Sequence, residues 1–301
     1  MIDFVGKKRY FFILSVVIIL CGIISLSVQG IPWGIDFTSG TVLTVEFANP
    51  VDRDLIENEF VKIGHDEVEI QEADNNAFVI RTKVLDETEE TQVEEALKEL
   101  EELTEDLGIH KVSDDIAREK ARGAVMAVVV AALGILLYIS FAFRKLPKPF
   151  RYGTCAIIAL VHDVLIALAV FAILGSALDL EINLMFITGL LIVIGYSVND
   201  TIVVFDRIRE NLGKTSRVGF ETIVNNSLVE TLNRSLNTSL TTLLVLVAVY
   251  LFVGEAIESF MLVLIVGVIS GTYSSIFIAS QALVVWETGA TKRLFKRNAS
   301  A

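Results

Sequence analysis

Cysteine and histidine are scarce in this 301-residue chain, which contains two cysteines and three histidines. Cys21 and Cys155 both lie in apolar runs, where a free cysteine usually serves as a small hydrophobic residue. The acidic segment between the first two apolar runs has no cysteine, which excludes a structural disulfide there. Because the sequence also lacks a C-x-x-C pair, we expect no metal centre and no cofactor.

Acidic and basic residues are unevenly distributed along the chain. The formal net charge is −12, although 53% of the residues are hydrophobic. Residues 31–115 contain 24 acidic and 6 basic residues, whereas the rest of the chain contains 13 acidic and 19 basic ones. This separation predicts an acidic, water-exposed insert within a mildly basic membrane body.

Six apolar runs are long enough to cross a bilayer as helices, which takes about 20 residues because every backbone group must be satisfied within the segment. They are Tyr10–Val28, Ala124–Phe143, Gly153–Leu174, Leu184–Phe205, Leu236–Phe252 and Phe260–Trp286. The sequence therefore predicts an α-helical polytopic membrane protein with six transmembrane helices. We divide it into the N-terminus with the first span (1–29), an outer domain (30–122), five further spans (123–287) and a basic tail (288–301).

The first run has a basic residue cluster before it, so a cleaved signal peptide is the alternative interpretation. Its 19 apolar residues exceed the 7–15 that are typical of a signal core. No A-x-A cleavage site follows it. We therefore expect a retained transmembrane helix.

Basic residues flank the spans on one side of the membrane. They precede the first span, lie between the second and third and between the fourth and fifth, and follow the sixth. The alternate short connections carry acidic residues only: Asp179, Glu181, Glu255 and Glu258. The positive-inside rule then makes the basic side cytoplasmic. This predicts a multi-pass protein of the cytoplasmic (inner) membrane, with both termini cytoplasmic and the acidic domain outside.

The outer domain shows a change from helical to alternating periodicity. Alternation and β-branched residues predict strands, and an apolar stripe at spacings of three and four predicts the second helix. The predicted elements are a strand at Thr41–Phe47, a helix at Asp52–Lys62, strands at Val68–Gln71 and Ala77–Thr82 joined by a turn at Asp74–Asn76, a helix at Glu89–Leu107 and a strand at Ile109–Val112. The order βαββαβ is that of an extracytoplasmic α+β ferredoxin-like domain.

Asp200, next to Asn199, lies within the fourth span rather than at its end. A carboxylate at membrane depth costs about 2.5–3.5 kcal/mol on insertion scales, and such residues usually line a functional path. Desolvation penalises its charged form, which favours binding and release of protons near neutral pH. A buried aspartate satisfied by Ser, Thr or Asn partners is the structural alternative.

Arg234 stands at the start of the fifth apolar run, in the segment LNRSLNTSLTT. At helical spacing, Arg234 shares one face with Asn237, Thr238 and Thr241, which forms a polar stripe. The stripe is suited either to receive water or to face Asp200. Snorkelling of Arg234 at the edge of the apolar run explains its position equally well.

His162 and Asp163 lie near the middle of the third span and form a candidate second polar site. They are suited either to a second proton-relay station or to a structural hydrogen-bonded pair. Aspartates on successive helices, Asp163 and Asp200, also raise the alternative of an intramembrane aspartyl protease. The local sequences HDV and NDT do not match the YD and GxGD settings of such enzymes, so we expect a protein that is not an enzyme.

Glycines recur on the fourth and sixth spans at positions suited to close helix packing. They are Gly189, Gly195, Gly267 and Gly271, of which the last two have G-x-x-x-G spacing. We expect neighbouring helices to approach closely there.

Three stretches together resemble the SecF family, a subunit family of the SecDF protein-translocation complex within the resistance–nodulation–division superfamily. They are GIDFTSGT at Gly34–Thr41, GYSVNDTIVVFDRIREN at Gly195–Asn211 and LNRSLNTSLTTLL at Leu232–Leu244. The matching residues of the first stretch are Gly34, Asp36, Phe37 and Gly40. That stretch departs from the family, which often has paired glycines, because Ser39 precedes Gly40.

The resemblance implies that Asp200 and Arg234 take part in proton passage. It also implies that SecD supplies six more helices of a twelve-helix core, and that the outer domain acts on an unfolded preprotein leaving the Sec translocation channel. The coupling ion implied is H+, with Na+ as the alternative, and no nucleic acid is expected to bind. Competing interpretations are a related proton-driven exporter of lipids or small molecules, and a non-conducting assembly subunit.

Overall fold

The computed structural model describes residues 3–65, 68–72, 76–101, 103–104, 107–178, 180–214, 218–252 and 257–289. The chain forms two compact units. One contains residues 1–32 and 125–301, and the other contains residues 33–124. The predicted turn at Asp74 and Asn75 and the basic tail from residue 290 onward lie outside the described residues.

The larger unit is helical, and six of its helices are long and apolar enough to span a membrane. These spans are α1 (Lys8–Gln29), α5 (Asp114–Ala142, which begins in the smaller unit), α6 (Phe150–Leu178), α7 (Leu184–Lys214), α8 (Phe220–Phe252) and a sixth made of α9 (Glu258–Ser274), a π-helical turn (Ser275–Ala279) and α10 (Ser280–Thr288). The prediction of six transmembrane helices is confirmed, and the protein is a multi-pass membrane protein.

Several helices extend well beyond the apolar runs that predict them. α8 begins at Phe220, so Arg234 lies near the middle of this helix and does not open it, as the apolar run suggested. α7 likewise continues to Lys214. Hydropathy marks the part of a helix that contacts lipid, whereas the polar turns at each end are helical for reasons of propensity and tertiary packing.

The smaller unit contains a four-stranded antiparallel sheet with two helices packed on one face. Its elements are α2 (Ile35–Thr38), β1 (Gly40–Glu46), α3 (Arg53–Ile63), β2 (Glu69–Glu72), β3 (Ala77–Thr82), α4 (Glu87–Leu100) and β4 (Gly108–Val112). The strand order β2-β3-β1-β4 places the first and third strands in the centre. This is the βαββαβ arrangement that the sequence predicts.

The core of this unit forms between the central strands and the helices. Leu43 of β1 lies opposite Ile80 of β3, and both are fully buried. Phe60 of α3 and Leu97 of α4 are buried in the same cluster. The alternation of strand residues and the three-to-four spacing on the helices thus bury apolar side chains on one shared face.

Local capping explains where both helices begin. Asp52 accepts a hydrogen bond of 3.1 Å from the backbone N–H of Asp54 at the start of α3. Asp86 forms a capping box with Glu89 at the start of α4. These side chains satisfy N–H groups that have no partner inside the helix. The acidic run at 86–90 therefore includes the cap of α4.

The second helix ends earlier than its apolar stripe predicts. α4 ends at Leu100, whereas the pattern predicts a helix to Leu107. Leu103 instead pairs with Phe47 in an isolated β-bridge, although both Leu103 and Leu107 still contact the apolar core. Residues at this spacing can be buried from an irregular segment as well as from a helix. Periodicity alone therefore placed the C-terminal end of α4 wrongly.

The connection into β1 adopts unusual backbone angles. Ser39 has a φ of 61° and Gly40 a φ of 138°, both in the region that favours glycine. A Cβ at Gly40 would lie 2.8 Å from the carbonyl oxygen of Thr82. Glycine is therefore required at position 40. Ser39 combines its positive φ with an extended ψ of 163°, and its hydroxyl contacts Asp114 at the start of α5.

Candidate intramembrane polar site

Asp200 is a buried carboxylate on α7 whose two oxygens differ in their contacts. The hydroxyl of Ser235 on α8 donates a hydrogen bond of 2.6 Å to Asp200 Oδ1. Asp200 Oδ2 is also buried and has no hydrogen-bond partner within the described part of the chain. An ionised carboxylate accepts several hydrogen bonds, whereas a protonated one has fewer acceptor sites to satisfy. Asp200 is therefore half satisfied, which suits a group that gains and loses a proton.

The buried face of α8 carries a row of hydroxyls that the sequence analysis missed. Thr231, Ser235 and Ser239 recur every fourth residue and are all buried. The Ser239 hydroxyl contacts Thr272 of α9, and the Tyr196 hydroxyl of α7 lies 3.3 Å from Ser239 Oγ. The i, i+4 recurrence of small hydroxyl residues was the available signal. The apolar pattern of the run concealed it.

The predicted polar stripe of α8 lies on a different face of the helix. Arg234, Asn237, Thr238 and Thr241 are all exposed on the surface of this chain. Thr238 and Thr241 donate hydrogen bonds to backbone carbonyls one turn earlier, at 2.9 and 3.0 Å. The stripe is thus a real shared face, but Ser235, and not the stripe, contacts Asp200.

The predicted partners of Asp200 are near it along the chain without contacting its carboxylate. Asn199 is exposed on α7, whereas Asp200 is buried. Arg234 acts on Asp200 by charge attraction, but the described residues contain no hydrogen bond or ion pair between the two side chains. The pair that the sequence suggests is therefore an electrostatic relationship across a distance and not a direct contact in this conformation.

Asp163 on α6 has the opposite environment, because its carboxylate is surrounded by donors. Ser197 of α7 and Ser274 of α9 donate to Oδ2 at 2.6 and 2.8 Å, and Ser270 of α9 donates to Oδ1 at 2.6 Å. His162 Nδ1 lies 3.2 Å from Oδ1. The carboxylate is 1% exposed. Asp163 thus connects three helices through a fully bonded buried carboxylate.

His162 extends this cluster to the first helix. Its Nε2 lies 2.9 Å from the hydroxyl of Ser15 on α1, and its ring stacks beside Tyr273 with centroids 5.9 Å apart. The cluster therefore spans four membrane helices. Among the described residues, Asp163 and Asp200 share no hydrogen-bond partner, which does not support the aspartyl protease alternative.

A π-helical turn interrupts the sixth span next to the buried aspartates. Ser275, the first residue of this turn, contacts the Thr201 hydroxyl at 2.7 Å and the Ser197 carbonyl at 3.3 Å. Ser280 donates to the Ser275 carbonyl at 2.8 Å, five residues back along the helix. Such turns often mark functional sites. No pattern in the sequence indicates this one.

Close helix packing occurs at three of the four predicted glycines. A Cβ at Gly189 or Gly267 would overlap a valine of the neighbouring helix, and one at Gly271 would lie 2.8 Å from a serine Cβ. Gly195 differs, because an added Cβ there would meet no atom within 4 Å in the described part of the chain. The prediction of close approach at Gly195 is wrong for this chain, whose α7–α9 contact uses the other three.

The first family motif belongs to the smaller unit and stabilises its structure. Gly34 precedes α2, and Asp36 forms an ion pair of 2.8 Å with Lys120 of α5. Phe37 packs edge-on against Trp33, with ring centroids 5.9 Å apart. These contacts hold the short helix α2 against neighbouring parts of the same unit, so the motif has a structural role within it.

Two family models match this chain. The model for the C-terminal part of the protein export membrane proteins SecD and SecF matches residues 92–289, and the model for the SecD/SecF GG motif matches residues 24–51. Protein translocase subunit SecF of Thermobaculum terrenum is 43% identical, over 99% of this chain and 98% of its own length. The corresponding subunit of Anaerolinea thermophila is 39% identical, over 99% and 98%.

The fold is also similar to a solved structure of a longer protein. The crystal structure of SecDF from Thermus thermophilus, a translocon-associated membrane protein, superposes with a TM-score of 0.83 at 32% identity. The match covers 95% of this chain and 39% of that one. SecDF of Bacillus subtilis is 35% identical over 95% of this chain and 38% of its own length. The chain therefore belongs to the SecF family of protein-export membrane proteins.

Proposed function

We propose that this chain is the SecF-type subunit that uses the proton gradient to assist late steps of Sec-dependent protein translocation across the cytoplasmic membrane. The observation that carries the proposal is Asp200, a buried carboxylate on a membrane-spanning helix with one serine donor and one unpartnered oxygen among the described residues. The relatives are named protein translocase subunits. Their names indicate protein translocation as the process to which proton movement is coupled.

Protonation of Asp200 changes the contact between two helices. The ionised group accepts the Ser235 bond and attracts Arg234, and the proton removes the charge on which both interactions depend. One charge moving down 100 mV supplies about 2.3 kcal/mol, which shifts a two-state equilibrium roughly 50-fold. α7 and α8 then pack differently when Asp200 is protonated and when it is ionised. This change in packing moves the outer domain.

The proton suits Asp200 better than Na+ as the coupling ion. A hard cation needs several oxygen ligands around it. The described residues supply the Asp200 carboxylate and the Ser235 hydroxyl, and Oδ2 has no polar neighbour at hydrogen-bond distance. A proton, by contrast, needs a single oxygen.

The exposed stripe of α8 fits a partner that covers it. Arg234 and Asn237 are exposed on a membrane-spanning helix, where uncovered polar groups are costly. SecDF relatives are longer proteins, of which this chain matches 38–39%. We propose that SecD supplies six further helices against this face, and that the complex acts beside the Sec channel on unfolded preprotein. From the flanking charges, the termini are cytoplasmic and the acidic domain is extracytoplasmic.

The test compares Asp200→Asn with Asp206→Asn in membrane vesicles that carry the complete complex. Asp206 is an exposed aspartate further along α7 that pairs with Arg209, so it controls for loss of a carboxylate on the same helix. We expect the uncoupler-sensitive part of preprotein release to disappear in Asp200→Asn and to persist in Asp206→Asn. Wild-type uncoupler-sensitive release by Asp200→Asn would overturn the proposal.

A further inference from the structure

The smaller unit contains an open groove of about 920 Å³ beside the end of β3. Its lining includes Trp33, Ser39, Thr82, Lys83 and Val84. The strand pairing between β1 and β3 ends at Thr82, so Lys83 and Val84 continue the chain beyond the sheet without a strand partner. The groove thus borders a stretch of backbone that leaves the sheet.

The charge of this groove is opposite to that of the surrounding domain. Residues 31–115 carry 24 acidic and 6 basic side chains, and two of those six, Arg81 and Lys83, line the groove. Lys83 is exposed and, within the described part of the chain, forms no ion pair. Asp114 also lines the groove and accepts a hydrogen bond from the Ser39 hydroxyl, so the lining carries two basic side chains and one acidic one. An acidic group is therefore attracted here and repelled by most of the remaining surface.

The groove also offers apolar surface and an unused hydroxyl. Trp33 is 48% exposed and Val84 is 44% exposed, although both are large apolar side chains. Thr82 is 8% exposed, and its Oγ1 has no hydrogen-bond partner within the described residues. A buried hydroxyl without a partner is costly, and a ligand that reaches it recovers a hydrogen bond.

We propose that this groove holds an extended segment of unfolded polypeptide, with an acidic side chain near Lys83 and an apolar one between Trp33 and Val84. An extended chain suits the site because it offers backbone donors and acceptors to Thr82 and to the backbone beyond β3, and presents side chains at regular intervals. The inference rests on the proposed function in protein export and names the surface of the outer domain that contacts the preprotein.

Photocross-linking tests the location. A photoreactive amino acid replaces Val84 in the full chain within its complex, and a secretory precursor stalled in the Sec channel is the probe. Val61 on α3 is the matched control, because it is a valine of similar exposure at 50%. We expect cross-links to the precursor from position 84 and not from position 61. Equal cross-linking at both positions, or cross-linking of position 84 to lipid or to another subunit only, would overturn the inference.

Charge reversal tests the chemistry. Lys83→Glu should lower cross-linking from position 84 to a precursor stalled at an acidic segment by about fivefold, since an attraction becomes a repulsion. Lys62→Glu, on an exposed lysine of α3 at 67% side-chain exposure, is the control and should leave it unchanged. Equal losses in both variants would contradict a specific contact.

A background of Asp200→Asn separates this inference from the proposed function. Binding in the groove does not need proton movement, so the cross-link should persist there even though uncoupler-sensitive release is lost. If that release is unaffected by Asp200→Asn, the proposed function fails. If the release is lost but position 84 never cross-links to the precursor, the groove proposal fails alone.

Discussion

The Ser235 hydroxyl lies 2.6 Å from Asp200 Oδ1 and links α8 directly to α7 inside the membrane. Under the proposed function, this bond is the contact that changes when the carboxylate is protonated, because its strength depends on the charge of the acceptor. The proposed function thus assigns Ser235 to the coupling machinery, although its side chain does not titrate. The adjacent residue Arg234 is exposed and belongs to the polar stripe. The two neighbours therefore lie on different faces of α8.

Substitution of this donor tests its role. Ser235→Ala removes a hydrogen bond to a charged group, worth about 1.5–3 kcal/mol, from one protonation state. We expect uncoupler-sensitive preprotein release in vesicles to slow by about 10- to 150-fold, which is the rate equivalent of such a loss. Thr238→Ala is the control, because Thr238 is exposed and bonds the Arg234 carbonyl. Equal rates in the two variants would contradict a coupling role for Ser235.

The two buried aspartates should differ in their importance for stability. Asp163→Ala leaves three serine hydroxyls of neighbouring helices without their acceptor, whereas Asp200→Ala leaves one. We expect Asp163→Ala to cost about 3 kcal/mol more, at roughly 1.5 kcal/mol for each additional hydroxyl. The thermal midpoint of the purified complex in detergent measures this. Similar midpoints for the two variants would show that the Asp163 cluster does not stabilise the helix packing.

The glycines of the helix interface offer a second stability test. Gly267→Ala forces a Cβ into Val193 of α7 and should destabilise the complex by about 1–3 kcal/mol. Gly195→Ala places its Cβ in open space within the described structure and should have a smaller effect. Thermal unfolding in detergent again reports the difference. The interpretation fails if Gly195→Ala is the more harmful change.

The start of β1 provides a prediction for the smaller unit. Gly40→Ala and Gly64→Ala both place alanine at positive φ, which costs about 1–2 kcal/mol. At Gly40 the new Cβ also lies 2.8 Å from the Thr82 carbonyl oxygen, whereas at Gly64 no described atom lies within 4 Å. Hydrogen exchange of the β1 and β3 amides in the full chain should therefore accelerate more in Gly40→Ala. Equal acceleration would show that the close approach relaxes without cost.

The sequence alone was sufficient to predict the architecture, and it singled out Asp200 as a carboxylate within a membrane span. Six apolar runs predict six spans because lipid requires long uninterrupted apolar helices, and few other structures satisfy that requirement. The order of strands and helices in the smaller unit followed from alternation and from apolar spacing, and the central pair β1 and β3 carries the alternating residues Leu43 and Ile80. An isolated carboxylate in an apolar run is conspicuous in any sequence.

The partners of that carboxylate could not be predicted in the same way. Ser235 follows Arg234 directly, and a choice between the two faces of α8 requires knowledge of which face packs on α7. The donors of Asp163 come from α7 and α9, far away in sequence, and serines at helical spacing are equally typical of close packing. Contacts between helices depend on their rotation about their own axes, which hydropathy does not specify when all sides are apolar.

The π-helical turn at Ser275–Ala279 divides the last span into two parts with different rotational settings. Each residue of an α-helix advances about 100° around the axis, and a π turn accommodates one extra residue without lengthening the ladder of hydrogen bonds. A relative that lacks one residue at this point would keep the span length nearly unchanged but would rotate α10 against α9. A single gap there in an alignment therefore signals that different side chains of α10 face the bundle interior. A helical wheel drawn across all of 258–288 assigns the residues of one half of the span to the wrong faces.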